Sequence, residues 1–159
     1  MSDVSPPPAR PPIPRPALVY GLAGLTPFVA CTAILLLHAE DAELAVAVEA
    51  LYAAIILSFL GGARWGLEIP RTPPRATVIT LTMAPSVLGF GTALWTMGGA
   101  DEATNAVVGL LALAALFVAT GVWDVTSPDV PAWYPRLRIL LTAVVAGLLA
   151  VSAAVAAMG

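Results

Sequence analysis

Five long apolar runs constrain this chain more than any other feature. They span residues 17–37, 44–63, 76–100, 103–123 and 139–159, and Glu49 is the only ionisable acid or base within them. A helix needs about 20 mostly apolar residues to cross the hydrocarbon core of a bilayer. Five such runs in 159 residues leave nothing soluble to bury them against. Hydrophobic residues make up 59% of the chain and charged residues 11%. That is too little polar surface to cover a small water-soluble domain. The expected fold is therefore all-α, a polytopic membrane bundle of about five transmembrane helices forming one domain over residues 17–159. Residues 1–16 are rich in proline, which fixes φ and removes backbone donors. They read as a disordered cytoplasmic tail.

Charge sets the expected orientation. Arg10 and Arg15 precede the first run, Arg64, Arg71 and Arg75 fall in the second link, and Arg136 and Arg138 in the fourth. The first and third links carry Glu40, Asp41, Glu43, Asp101 and Glu102 and no arginine. By the positive-inside rule the N-terminus is cytoplasmic and the C-terminus outside, in a bacterial inner membrane. Trp65, Trp123, Trp133 and Tyr134 fall at the arginine-bearing boundary, where amphipathic rings anchor a helix. The first run is too long, and its leader too proline-rich, for a cleaved signal peptide. A net charge of −3 gives no basic field for nucleic acid. One cysteine (Cys31) and one histidine (His38) supply no metal set, and no cofactor motif is present. Cys31 reads as a small packing residue and His38 as an interfacial polar one.

Glu49 is the most informative single residue. A carboxylate about six residues inside a span, roughly 9 Å deep, needs a partner or water. It reads either as a proton or cation site, or as an acid that snorkels outward or hydrogen-bonds a neighbouring helix. Arg64, Trp65 and Glu68 gather a guanidinium, an indole and a carboxylate at the end of the second run, and Arg64 and Glu68 have the spacing to pair on a helix face. Asp124, Trp133, Tyr134, Arg136 and Arg138 form a matching set in the fourth link. Asp124 is expected to pair with Arg64 or Arg138, the alternative being separate charges solvated by headgroups. Gly61 and Gly62 would admit a close backbone, and Gly66 would end the helix. Pro27 and Pro85 are expected to kink the first and third spans, freeing carbonyls near Ala23 and Leu81.

At three segments the sequence resembles a known family. They are Tyr20-Gly-Leu-Ala-Gly-Leu-Thr-Pro-Phe28, Ile56-Leu-Ser-Phe-Leu-Gly-Gly-Ala-Arg-Trp-Gly66, and Pro131-Ala-Trp-Tyr-Pro-Arg-Leu-Arg138 with Leu141-Thr142. Together with Asp124 they resemble the transmembrane protein 69-like family of small multi-span membrane proteins, a domain of unknown function. In that pattern a histidine often stands in the place of Arg64, so histidine-dependent chemistry does not carry over. The resemblance implies a topology and no mechanism. Three functions remain open. The favoured one is a non-enzymatic accessory, assembly or scaffold component of a membrane complex, with membrane lipid and other membrane proteins or itself as partners. The others are a small proton, ion or amphipathic-solute carrier using Glu49, and a lipid-headgroup enzyme using Arg64, Glu68, Asp124 and Arg136.

Overall fold

The computed structural model describes residues 11–98 and 101–158. Among them the regular structure is helical: α1 Arg15–Ala23, α2 Thr26–Leu37, α3 Ala42–Glu68, α4 Ala76–Thr96, α5 Glu102–Thr126 and α6 Tyr134–Ala156, with a single 3-10 turn at Ala39–Asp41. With α1 and α2 taken together, five helical segments are long and apolar enough to cross a membrane. The 21 residues of α4 reach about 32 Å and the 27 of α3 about 40 Å, against a hydrocarbon core of about 30 Å. The expected disordered tail falls largely on residues 1–10, outside the described residues, as do the expected span ends at 100 and 159.

Pro27 does more than kink the first span. Its ring clashes with the carbonyl four residues back and it offers no N–H to that carbonyl. The helix accordingly stops at Ala23 and restarts at Thr26, with Pro27 in the first turn of α2, where its missing donor costs nothing. The Ala23 carbonyl is satisfied instead by the Thr26 hydroxyl at 2.7 Å, and the Gly24 carbonyl by the Tyr52 hydroxyl of α3 at 3.0 Å. Pro85, in contrast, sits inside an unbroken α4.

Several helices run past the apolar segments. Helix α3 continues through Gly66 to Glu68, so that glycine does not end it. Helix α5 carries Asp124 in its last turn, and α6 begins at Tyr134 with Pro135 in its first turn. The fourth link therefore shrinks to seven residues, 127–133, and Tyr134, Arg136 and Arg138 are helical.

The helices alternate in direction. Helix α3 packs on α2, α4 and α5, and α6 packs on α5, α2 and α1, so α3 and α5 fill the centre. Ala50, Ala53, Leu57, Leu110, Leu113, Phe117 and Leu149 form the buried core. Phe28 joins the first span to it, meeting Tyr52 and Phe117 edge-on at 5.1 and 5.9 Å between ring centroids. Outward, Ile55, Phe59, Val87, Leu88, Phe90 and Val122 are exposed. A surface of this kind suits lipid.

Between α3 and α4 the contact is backbone-close. A Cβ on Gly61 would collide with the Thr82 carbonyl, whereas Gly62 and Gly66 face open space. Gly89 repeats the approach from α4 onto Leu57 and Ala54. Gly61→Val should therefore lower stability by about 1–3 kcal/mol, the usual cost of overpacking, while Gly62→Val should not. Unfolding of both variants in mixed micelles checks this, and equal losses would place the close contact elsewhere.

Candidate functional site

The polar residues singled out in the sequence gather mainly at the arginine-bearing end of the bundle. Asp124 lies at its centre, 2% exposed, on the last turn of α5. A carboxylate is poorly placed there, because it is buried and sits beside the negative end of its helix dipole. Two guanidinium groups compensate. Arg138 of α6 donates from Nε to Asp124 Oδ2 at 2.7 Å. Arg64 of α3 places Nε 2.7 Å from Oδ1, in an ion pair without hydrogen-bond alignment. Both arginines are 4% exposed. Asp124 thus pairs with both of its expected candidates, and the reading of separate, solvated charges is overturned.

Arg64 also closes the end of α5. Its Nη2 donates to the Trp123 carbonyl at 2.7 Å and its Nη1 to Ser127 Oγ at 2.8 Å. A cation donating to terminal carbonyls favours a helix C-terminus. The same guanidinium lies 4.4 Å from the centre of the Trp123 ring, so this tryptophan is a cation–π partner as well as a boundary residue. The Tyr134 hydroxyl donates to Asp124 Oδ2 at 3.4 Å, and the Tyr134 ring meets Trp133 edge-on at 5.8 Å. Arg136 turns outward and donates to the Pro11 carbonyl at 2.5 Å. Trp65 is partly exposed, as a boundary anchor would be.

Glu68 does not form the expected pair with Arg64, which is committed to Asp124 one helix away. Its buried carboxylate instead accepts from the Arg75 backbone N–H at 3.0 Å and from Arg75 Nε at 3.1 Å, with Nη2 also bonded. Arg71 Nε lies 3.4 Å away. Arg71 and Arg75 then reach Asp129 at 2.6 and 2.5 Å, joining the α3–α4 link to the α5–α6 link. Arg75 hydrogen-bonds hold the Asp129 carboxyl below its ordinary pKa. Bonds to Glu68 and then Asp129 raise that of Arg75. Sequence reasoning missed Asp129 and Ser127. The available signal was a lone acid in a proline-bounded link facing an arginine-rich one.

Glu49 is separate from both clusters and lies inside the bundle. It is 0% exposed, which overturns the snorkelling reading. Its Oε1 accepts from the Thr32 hydroxyl of α2 at 3.4 Å, and Thr32 lies 3.0 Å from the Ser152 hydroxyl of α6. Oε2 has no hydrogen-bond partner among the described residues. Cys31 is buried beside this trio, and His38 is exposed 3.4 Å from Glu40. Among the described residues no three His, Cys, Asp or Glu side chains are arranged to hold a metal ion.

Removing Asp124 strands two buried cations. Asp124→Ala should cost about 3–5 kcal/mol, and its combination with Arg64→Ala should cost much less than the sum of the single losses. Unfolding of the three variants in mixed micelles tests this, and simple addition would refute the coupling. For Asp129 the sign follows from the lowered pKa. Its contribution is present above the ordinary carboxylate value of about 4 and is lost as pH falls through the lower folded value. Hydrogen-exchange protection factors in residues 69–75 and 127–133, taken against the intrinsic rate at each pH, should fall in acid, and Asp129→Asn should show the lower protection already at neutral pH.

Comparison with known proteins places this arrangement. Residues 13–154, which include every helix from Arg15 to the last turn of α6, match the family described as protein of unknown function (DUF3429). The chain is 38% identical over 137 residues to transmembrane protein 69 of Xenopus tropicalis, covering 82% of this chain and 51% of that protein. It is 31% identical over 136 residues to transmembrane protein 69 of Mus musculus, covering 82% and 52%. The chain thus spans about half the length of these curated relatives, both of them vertebrate. No solved structure matches it. With its five membrane-spanning segments, the chain belongs to the DUF3429 family of multi-pass membrane proteins.

Proposed function

We propose that the chain is a non-enzymatic component of a membrane complex, acting as an accessory, assembly or scaffold subunit. One observation carries this reading: most of the charged side chains at the arginine end hold helices and links together. Arg64 and Arg138 converge on Asp124, and Glu68 and Asp129 are taken by Arg71 and Arg75. Arg64, Glu68 and Asp124 are thereby withdrawn from any reaction on a lipid headgroup, and among the described residues no nucleophile–base pair accompanies them. A braced end with apolar outer faces suits a subunit that presents a fixed surface to lipid and to neighbouring proteins. The positive-inside rule supports a cytoplasmic arginine end, and a bacterial inner membrane is the proposed location.

Glu49 supports a second reading, a small carrier. A buried carboxylate with one unpartnered oxygen is an uncommon feature in a helix that is otherwise apolar over its membrane-spanning length.

The first reading predicts that extraction into nanodiscs with native lipid recovers at least one other membrane protein in fixed ratio. A monodisperse, partner-free chain across several extraction conditions would remove it.

A further inference from the structure

Two arginines at the braced end take no part in the bracing. Among the described residues, six arginines gather there with three acids, Glu68, Asp124 and Asp129. Arg64 and Arg138 are buried on Asp124, and Arg71 and Arg75 are paired with Glu68 and Asp129. Arg15, in the first turn of α1, and Arg136, in the first turn of α6, are exposed and make no ion pair among the described residues. Six arginines against three acids leave three positive charges in excess, and two of them are on these surface side chains.

Helices α1 and α6 lie side by side and parallel. Gly21 of α1 meets α6, where a Cβ would lie 3.5 Å from Leu137 and 3.0 Å from Leu141; deeper in the bundle, Thr32 of α2 lies 3.0 Å from Ser152. The contacts thus advance together along the first and last spans, which places Arg15 and Arg136 at one level. Arg136 also donates to the Pro11 carbonyl at 2.5 Å, so its guanidinium is held against the segment leading into α1. Each arginine heads an exposed row on its own helix: Arg15, Val19 and Leu22 on α1, and Arg136, Leu140, Ala143 and Gly147 on α6. Offsets of three and four residues keep each row on one face. At about 100° per residue, the α1 row lies about 100–160° round its helix from Gly21, and the α6 row about 80–140° in the opposite sense from the midpoint of Leu137 and Leu141. For parallel neighbours, opposite senses from the shared contact mean the same side of the pair. The two rows form one amphipathic strip. Two guanidinium groups sit at its end, apolar side chains follow, and a Cβ on Gly147 would meet open space.

We propose that this strip binds one anionic phospholipid. The lipid phosphate accepts from Arg15 and Arg136, and the acyl chains lie along Val19, Leu22, Leu140 and Ala143. Charge complementarity selects the lipid. A headgroup of net negative charge answers the two unbalanced arginines, whereas a zwitterionic headgroup brings a cation of its own. The first turns of α1 and α6 hold no acid and no side-chain cap, so the positive ends of both helix dipoles add to the same field. The site goes beyond the scaffold reading and does not depend on it, because it needs lipid and no partner protein.

Native mass spectrometry of the protein in a non-ionic detergent, titrated with dioleoylphosphatidylglycerol or dioleoylphosphatidylcholine, tests the proposal. Wild type should retain a single phosphatidylglycerol, preferred over phosphatidylcholine by about 25-fold, with each arginine contributing about fivefold. Arg15→Gln and Arg136→Gln should therefore each weaken phosphatidylglycerol about fivefold, and the double variant should bring it to the phosphatidylcholine level. Both side chains are exposed, so these variants should unfold at the wild-type temperature. Arg71→Gln removes the same charge from the α3–α4 link and should leave the affinity unchanged. Excess glycerol 3-phosphate should not displace the lipid. Equal retention of the two lipids by wild type, or unchanged affinity in the double variant, overturns the proposal. So does an equal loss in Arg71→Gln and Arg136→Gln, which would mean a diffuse positive surface in place of a site. Displacement by glycerol 3-phosphate overturns it in favour of a soluble phosphate ligand.

Discussion

The buried carboxylate of Asp124 is the point on which the arginine end of the bundle depends. In a medium of low dielectric an isolated charge is costly, and so is an isolated guanidinium. One carboxylate between Arg64 and Arg138 satisfies the three together and draws α3, α5 and α6 to one place. The surplus positive charge is met by the Trp123 carbonyl and the face of its ring. Each group is tolerable only because the others are present. The same interdependence makes the cluster sensitive to a single loss and specific in the helix arrangement it permits.

The two ends of the molecule therefore differ in kind. At the arginine end, links of seven residues are tied across the bundle by Glu68, Arg71, Arg75 and Asp129. At the other end the acids have almost no cationic partners, and like charges do not draw helices together. The helices there part around a cavity. Glu49 lies between these regimes, held by the Thr32 hydroxyl, which Ser152 of α6 engages in turn, and among the described residues by no cation. A scaffold draws on the braced end.

Hydropathy located the spans but cut several helices short at the arginine end, and it ran the third span past the end of α4. It measures only which residues dissolve in hydrocarbon. Residues 64–68, 124–126 and 134–138 each carry charged side chains, so they fell outside the apolar runs, yet they are helical. Their backbone hydrogen bonds continue where the lipid stops. Pro27 and Pro85 look alike in sequence but act differently. A hydroxyl at Thr26 and another at Tyr52 make a break affordable at Pro27, and only the fold brings Tyr52 there. Gly61 and Gly62 are neighbours, but only Gly61 faces α4.

The sequence by itself determined the solvent, the number of crossings and the alternation of charge between the two ends, because each follows from composition along the chain and needs no knowledge of which helices touch. It also narrowed the partners of Asp124 to the right two arginines. Only the tertiary structure decided that both are used, that Glu68 turns to Arg75 rather than to Arg64, and that Glu49 is sealed between Thr32 and Ser152. These pairings join residues up to 120 positions apart. Their choice is set by helix rotation and crossing, and local patterns along the chain carry no record of either.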